Sequence, residues 1–232
     1  MLENYGSAGP TSIARTLNRS VNSVEQKAKR LYLKGGQSRK HAAIQRCQNS
    51  SHVNAKYFDE IDPGVAYTLG FTFSCGSLKT KYRTVLRLRS EQDRCRVLKN
   101  VLSEMQSQHV LQPSGSYWVV EICNSYLVGR LIKNWGVLPS RKRPDPPMPK
   151  IPASLMRQFI IGHLAGSGWI TSTIVRWTGS TSVVEAIGKF LSCQLGSKEP
   201  FTQKSGATSH VCWRDPGTIG EIREFLGLNG KL

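Results

Sequence analysis

The runs YTLGFTFSCGSL, residues 67–78, and FIIGHLAGSGWI, residues 159–170, share one pattern. Each is largely apolar, carries small residues four positions apart, and closes on a glycine, Gly76 or Gly168. Residues i and i+4 lie on one helix face. Gly70 with Ser74, and Gly162 with Gly166, therefore form two strips of small side chains along which helix backbones can approach closely, and the closing Gly76 and Gly168 are expected to join that packing. Asp62-Pro63 ahead of the first run reads as an N-cap followed by proline at the first helical position. The spacing predicts helices from Pro63 to about Ser74 and from Pro152 to about Ala165, packed on each other.

The similarity extends well beyond the two runs. Gly70, Cys75 and Gly76 map onto Gly162, Ser167 and Gly168 at an offset of 92 residues. Val85, Arg87, Val101 and Leu102 map onto Ile174, Arg176, Phe190 and Leu191 at 89. Val128, Leu131 and Gly136 map onto Ile219, Ile222 and Gly227 at 91. Three blocks in order, at nearly one offset, point to a duplicated half-domain; the period is too long for a solenoid repeat.

Each half reads as αββαβα with one further short strand. In the first half, strand-like residues run from Ser77 to Arg89. A helix follows over 91–106 with Val97, Leu98, Val101, Leu102 and Met105 inward. A strand Tyr117–Ile122 and a helix Ser125–Asn134 close it. The second half repeats this over Trp169–Thr178, Thr181–Leu195, Ser209–Trp213 and Gly217–Phe225.

The first strand region carries the strongest charge pattern. Lys79, Lys81, Arg83, Val85, Arg87 and Arg89 alternate with Thr80, Tyr82, Thr84, Leu86 and Leu88. Alternation puts the basic set on one sheet face and leaves the other for the helices. A hairpin turn inside this stretch changes the register. A face of one charge sign makes sense where phosphates supply the counter-charge.

On these motifs the chain resembles the LAGLIDADG homing endonuclease family. The resemblance covers residues 63–230 and implies an α+β fold, a duplicated αββαββα body with pseudo-twofold symmetry. The two motif helices meet at its centre, and two antiparallel sheets form a saddle for DNA. Active members carry an acidic residue just before the last glycine of each motif, and those acids hold divalent metal. Here the positions are Cys75 and Ser167. A soft thiol and a neutral hydroxyl are poor ligands for Mg²⁺, which takes hard anionic oxygens. The resemblance therefore implies no confident catalytic residue and a lost or impaired cleavage reaction. A carboxylate from elsewhere, such as Glu121 or Asp215, would be needed to restore it. The hairpins are short for the family, which shifts the balance from base contacts to phosphate contacts.

Outside the duplication, residues 1–36 read as a helix-turn-helix-like segment. Thr11-Ser12 cap a helix Ser12–Leu17 whose face is Ile13, Ala14 and Leu17. A turn at Asn18-Arg19-Ser20 leads to a second helix reaching Leu33, with Val21, Val24, Ala28 and Leu31 inward. That helix presents Lys27, Lys29 and Arg30, as insertion into a major groove requires. The string resembles helix-turn-helix modules of phage and mobile-element proteins. Residues 37–62 read as a basic linker, 63–143 as the first repeat, 144–153 as a Pro-rich linker and 154–232 as the second repeat. The proline-rich stretch PSRKRPDPPMPKIPA, 139–153, opens on Arg141, Lys142 and Arg143.

The chain of 232 residues holds 32 Lys and Arg against 15 Asp and Glu, a formal charge of +17. Residues 63–150 alone hold 14 against 5. Such an excess selects a polyanionic partner. No apolar run approaches the roughly 18 residues of a membrane span. The N-terminus lacks the pattern of a signal peptide, so an intracellular or organellar setting is expected and membrane partners are not. The six cysteines include no C-x-x-C pair and the five histidines no ligand cluster, so reduced thiols and no metal site are expected. No nucleophile–base spacing and no phosphate-binding glycine loop is present. The tryptophans at 118, 135, 169, 177 and 213 could stack on bases, but Trp118 and Trp213 fall on matching strands and read as packing.

Two function classes follow. One is a binding protein that grips double-stranded DNA through the basic saddle (Lys79, Lys81, Arg83, Arg87, Arg89, Arg176) and the helix pair, with structured RNA as a variant. The other is a site-specific endonuclease with unusual ligation of Mg²⁺, the only cofactor either class admits. An internal duplication removes the need for a dimer, so a monomer is expected.

Overall fold

The computed structural model describes residues 5–30, 53–80, 84–139, 145–205 and 208–228. The chain divides into two compact units near residues 51 and 52.

In the first unit, helix α1 (Tyr5–Thr16) and helix α2 (Val21–Arg30) pack through Ile13, Ala14, Val24 and Ala28. Ser20 caps α2, its hydroxyl accepting from the Ser23 N–H at 3.2 Å. Asn18 turns the chain at φ 50°, a conformation its short polar side chain tolerates. The expected start of the first helix at Ser12 is corrected: α1 begins seven residues earlier, so Thr11 and Ser12 lie inside it rather than capping it. Leu17 and Val21, expected inward, are exposed beside the turn, and the interface is made by Ile13, Ala14, Val24 and Ala28.

The second unit is the duplicated body. Helix α3 (Pro63–Cys75) leads into strands β1 (Gly76–Lys79) and β2 (Val85–Glu91), helix α4 (Cys95–Glu104), strands β3 (Gln112–Ser114) and β4 (Tyr117–Ile122) and helix α5 (Ser125–Trp135). The second half repeats this as α6 (Met156–Ser167), β5 (Trp169–Ile170), β6 (Val175–Gly179), α7 (Thr181–Leu195), β7 (Phe201–Ser205), β8 (Thr208–Trp213) and α8 (Pro216–Leu226). Both halves are αββαββα. Their antiparallel sheets run β1-β2-β4-β3 and β5-β6-β8-β7, the same order twice. The further short strands expected in each half are β3 and β7.

Local chemistry explains the boundaries. Asp62 caps α3, its carboxylate accepting from the Val65 N–H at 2.7 Å, with Pro63 in the first turn. Asn124 and Asp215 do the same for α5 and α8. Gly136, Gly196 and Gly227 end α5, α7 and α8 in the left-handed region, where a side chain is strained. The core is one continuous cluster that takes in Leu69, Phe71, Leu86, Leu88, Leu98 and Val101 of the first half and Phe159, Ile160, Val175, Trp177, Ile187 and Leu191 of the second.

One expectation about the connections changes. Of the stretch 37–62 expected as a linker, the part up to 52 lies outside the described residues. Residues 53–61 are folded into the body: Val53 and Phe58 are buried, and the Trp135 indole donates to the Phe58 carbonyl at 2.9 Å. The proline-rich stretch is extended from 145 onward, and Asp145 accepts from the Ser182 N–H at 2.7 Å near the start of α7. Among the described residues no helix is long and apolar enough to cross a membrane.

Candidate nucleic-acid interface

Helices α3 and α6 cross at the centre of the body with their backbones in contact. A Cβ added to Gly70 would overlap the Phe159 carbonyl, and one on Gly162 would overlap the Tyr67 carbonyl. A Cβ on Gly166 would strike the Ser74 hydroxyl. Gly70, Gly162 and Gly166 therefore pack the helices as the spacing predicts. Gly76 and Gly168 do not. A Cβ at either would meet the end of its own helix, Thr72 or Leu164, while the backbone turns to extended. They terminate the helices rather than pack them.

The crossing brings the two family-acid positions together. The Cys75 thiol donates across the helix pair to the Gly166 carbonyl at 2.9 Å, and the Ser167 hydroxyl donates to the Thr178 carbonyl. Burial pushes the Cys75 thiol above its usual range, outweighing the Ser74 hydrogen bond and the pull of Arg89 and Arg94. The thiol is thus a protonated donor, and both protons are committed inward. This donor set does not fit a hard divalent cation. Neither of the two carboxylates considered from the sequence stands in among the described residues. Glu121 is held by Lys79 at 2.7 Å, and Asp215 caps α8. The carboxylate that Cys75 does feel is Glu91, at the end of β2, which faces Arg94 at 4.0 Å. Among the described residues no group of three or more His, Cys, Asp or Glu is placed to hold a metal.

From the helix ends the sheets spread outward. In the first sheet the inner face is Leu78, Leu86, Leu88, Val120 and Ile122, all buried. The outer face carries Lys79, Arg87 and Arg89, and a groove of about 590 Å³ runs from Cys75 past Ser77 to these three cations and Tyr117. The expected alternation therefore holds along β2. The expected single sign does not: Glu121 shares this face, contacting Lys79 at 2.7 Å and Arg87 at 3.9 Å. The odd-numbered Val85 stands across from Lys79 on this same face and is nonetheless buried. Arg89 lies over the Tyr117 ring, 5.2 Å from its centroid. Lys81, Arg83, Arg141, Lys142 and Arg143 lie outside the described residues. In the first unit Lys27 is exposed on α2; Lys29 and Arg30 belong to the same helix.

Register lets the two sheets be compared position by position. In the first, Ser77, Arg87 and Glu121 stand directly across from one another on neighbouring strands. In the second, the matching row is Trp169, Arg176 and Cys212, continued by Phe201. The arginine occurs in both sheets and its neighbours differ. One contact was not legible in the sequence. The Arg94 guanidinium donates to the Gly168 carbonyl at 3.0 Å and sits 5.9 Å from the Trp169 ring centroid. It joins the end of α6 to the first half over 74 residues of sequence, so no local pattern announces it.

The fold is that of the LAGLIDADG homing endonucleases. The chain superposes on the N-terminal LAGLIDADG domain of DUF199/WhiA with a TM-score of 0.52 and 15% identity, covering 82% of this chain and 90% of that one. It superposes on I-DmoI in complex with DNA and Mn with a TM-score of 0.50 and 13% identity, covering 77% and 100%. The I-SmaMI LAGLIDADG homing endonuclease bound to cleaved DNA gives 0.50 and 12%, covering 74% and 84%. At these identities the likeness is one of fold. No protein-family model and no curated protein sequence matches the chain.

Proposed function

We propose that this LAGLIDADG-fold protein binds double-stranded DNA as a single chain and does not cut it. One observation carries the reading: the outward cations Lys79, Arg87 and Arg89 line a groove that begins at Cys75, where an acid would be required for metal-dependent hydrolysis. Cations on an outer face neutralise phosphates and release counterions, which supplies affinity without sequence information. Lys81 and Arg83 between the strands, Arg176 on the second sheet and the Arg141–Arg143 run extend the proposed contact set. The helix pair of the first unit adds a second contact through Lys27, Lys29 and Arg30, with α2 as the groove-facing helix. The formal charge of +17 supports a polyanion as partner.

The test is a retention and cleavage assay on a fragment library of genomic DNA. With Mg²⁺ or Mn²⁺ present, the protein retains duplex fragments and their lengths do not change. Discrete shortened products that disappear in Cys75→Ala or Ser167→Ala would establish the endonuclease instead.

A further inference from the structure

The second sheet differs from the first in a way duplex binding does not use. Its outer face crosses four strands as Trp169, Arg176, Cys212 and Phe201. Trp169 is 50% exposed and Phe201 60%, whereas Trp135, Trp177 and Trp213 are buried. With strands about 4.8 Å apart, the two rings stand roughly 14 Å from each other with an arginine between them. The outward strand residues around them, Thr178, Gln203, His210 and Thr208, are polar, and none is acidic. Beyond Phe201 lies a cleft of about 750 Å³ lined by Gln203, Cys212 and Trp213 and by charges of both signs, Lys198 and Arg214 with Glu199, Asp215 and Glu221.

A paired duplex offers phosphates and base edges but no free π face. Exposed rings in such a row gain nothing from it. Unpaired bases do offer π faces, and stacking on aromatic side chains is a sequence-tolerant source of affinity. Four-stranded sheets elsewhere stack roughly two or three bases on aromatics. Arg176 between the rings, and Arg94 against Trp169, supply cations for the accompanying backbone. The first sheet is built the other way, with Ser77 where Trp169 stands and Glu121 where Cys212 stands.

We infer that the second sheet is a stacking platform for unpaired bases, so that the protein's preferred ligand is a duplex DNA with an adjoining single-stranded segment. This rests on the reading that the first sheet holds the duplex. The partner is single-stranded DNA continuous with the duplex, and RNA of the same design is a competitor in the test.

Equilibrium binding of the full chain is measured at one salt concentration on a blunt duplex, on the same duplex with a 5′ or a 3′ single-stranded extension, and on the RNA counterpart. The inference expects one DNA junction to bind about 10-fold or more tighter than the blunt duplex. Trp169→Ala with Phe201→Ala removes that gain and leaves blunt-duplex affinity unchanged. Trp169→Tyr with Phe201→Tyr retains it, which separates loss of stacking from loss of folding. Equal affinity for junction and blunt duplex, a gain that survives the double alanine change, or tighter binding of the RNA form overturns the inference. Failure of the wild-type chain to hold even the blunt duplex overturns the duplex reading beneath it, a distinguishable outcome.

Discussion

His163 lies fully buried on α6, one residue beyond the Gly162 crossing, and neither ring nitrogen has a partner among the described residues. Burial holds its pKa down to about 4, against 6.5 when unfolded. The neutral ring is therefore the folded form, and the unfolded chain takes up the proton more readily. Stability from this residue is fully present above pH 6.5 and is lost as pH falls toward 4. The loss should approach about 3 kcal/mol across that window. Denaturant titrations at pH 7.5 and 4.5 check this, and His163→Phe should flatten the difference. Gly162 makes a second point. Any Cβ there overlaps the Tyr67 carbonyl, which belongs to a helix backbone and cannot swing away. Gly162→Ala should cost about 3 kcal/mol in urea unfolding, because the two helices must separate along their length. Gly166→Ala should cost less, since the atom it meets first is the Ser74 hydroxyl on a side chain that can rotate.

The strands and helices repeat this division between what is local and what is not. Alternation along 85–91 placed Leu86 and Leu88 inward and Arg87 and Arg89 outward, because a half-buried strand with period two leaves little choice. The caps at Asp62 and the left-handed glycines at 136 and 227 were likewise legible, since each needs only one residue type at one position. The start of α1 was not, because Thr11 and Ser12 carry cap chemistry wherever they sit. Nor was the fact that Glu121 sits among the cations, since register between β2 and β4 depends on contacts some 34 residues apart. That residue restrains Lys79 and Arg87 in a partly exposed ion pair, of small value to the fold. Glu121→Gln should leave unfolding nearly unchanged. It should tighten duplex binding roughly fivefold, the equivalent of about 1 kcal/mol in Coulomb energy at the surface. Filter binding at fixed salt measures it.

The duplication gives the body two sheets of one topology and lets their outer faces diverge. Among the described residues, the first face carries Lys79, Arg87 and Arg89 near the helix end, and the second carries Arg176 between two exposed rings. The repeat itself was readable as three offset blocks, and with it the fold, because a duplicated core must bury the same positions twice. The difference between the two outer faces was not readable, since Trp169 and Phe201 meet in one row only once β5 to β8 are ordered. The identity of Cys75 and Ser167 was legible in the sequence; that the thiol donates to the Gly166 carbonyl and the hydroxyl to the Thr178 carbonyl was not, since both bonds depend on how the helices and sheet pack.

The claim beneath all of this is that the outer face of the first sheet is where phosphate is neutralised. A salt titration of duplex affinity, comparing the natural chain with a Lys79→Ala, Arg87→Ala, Arg89→Ala variant that retains its unfolding transition, tests it directly. The log–log slope should flatten by about 3, one counterion near 0.9 for each cation removed. Parallel lines of equal slope for the two proteins would contradict it.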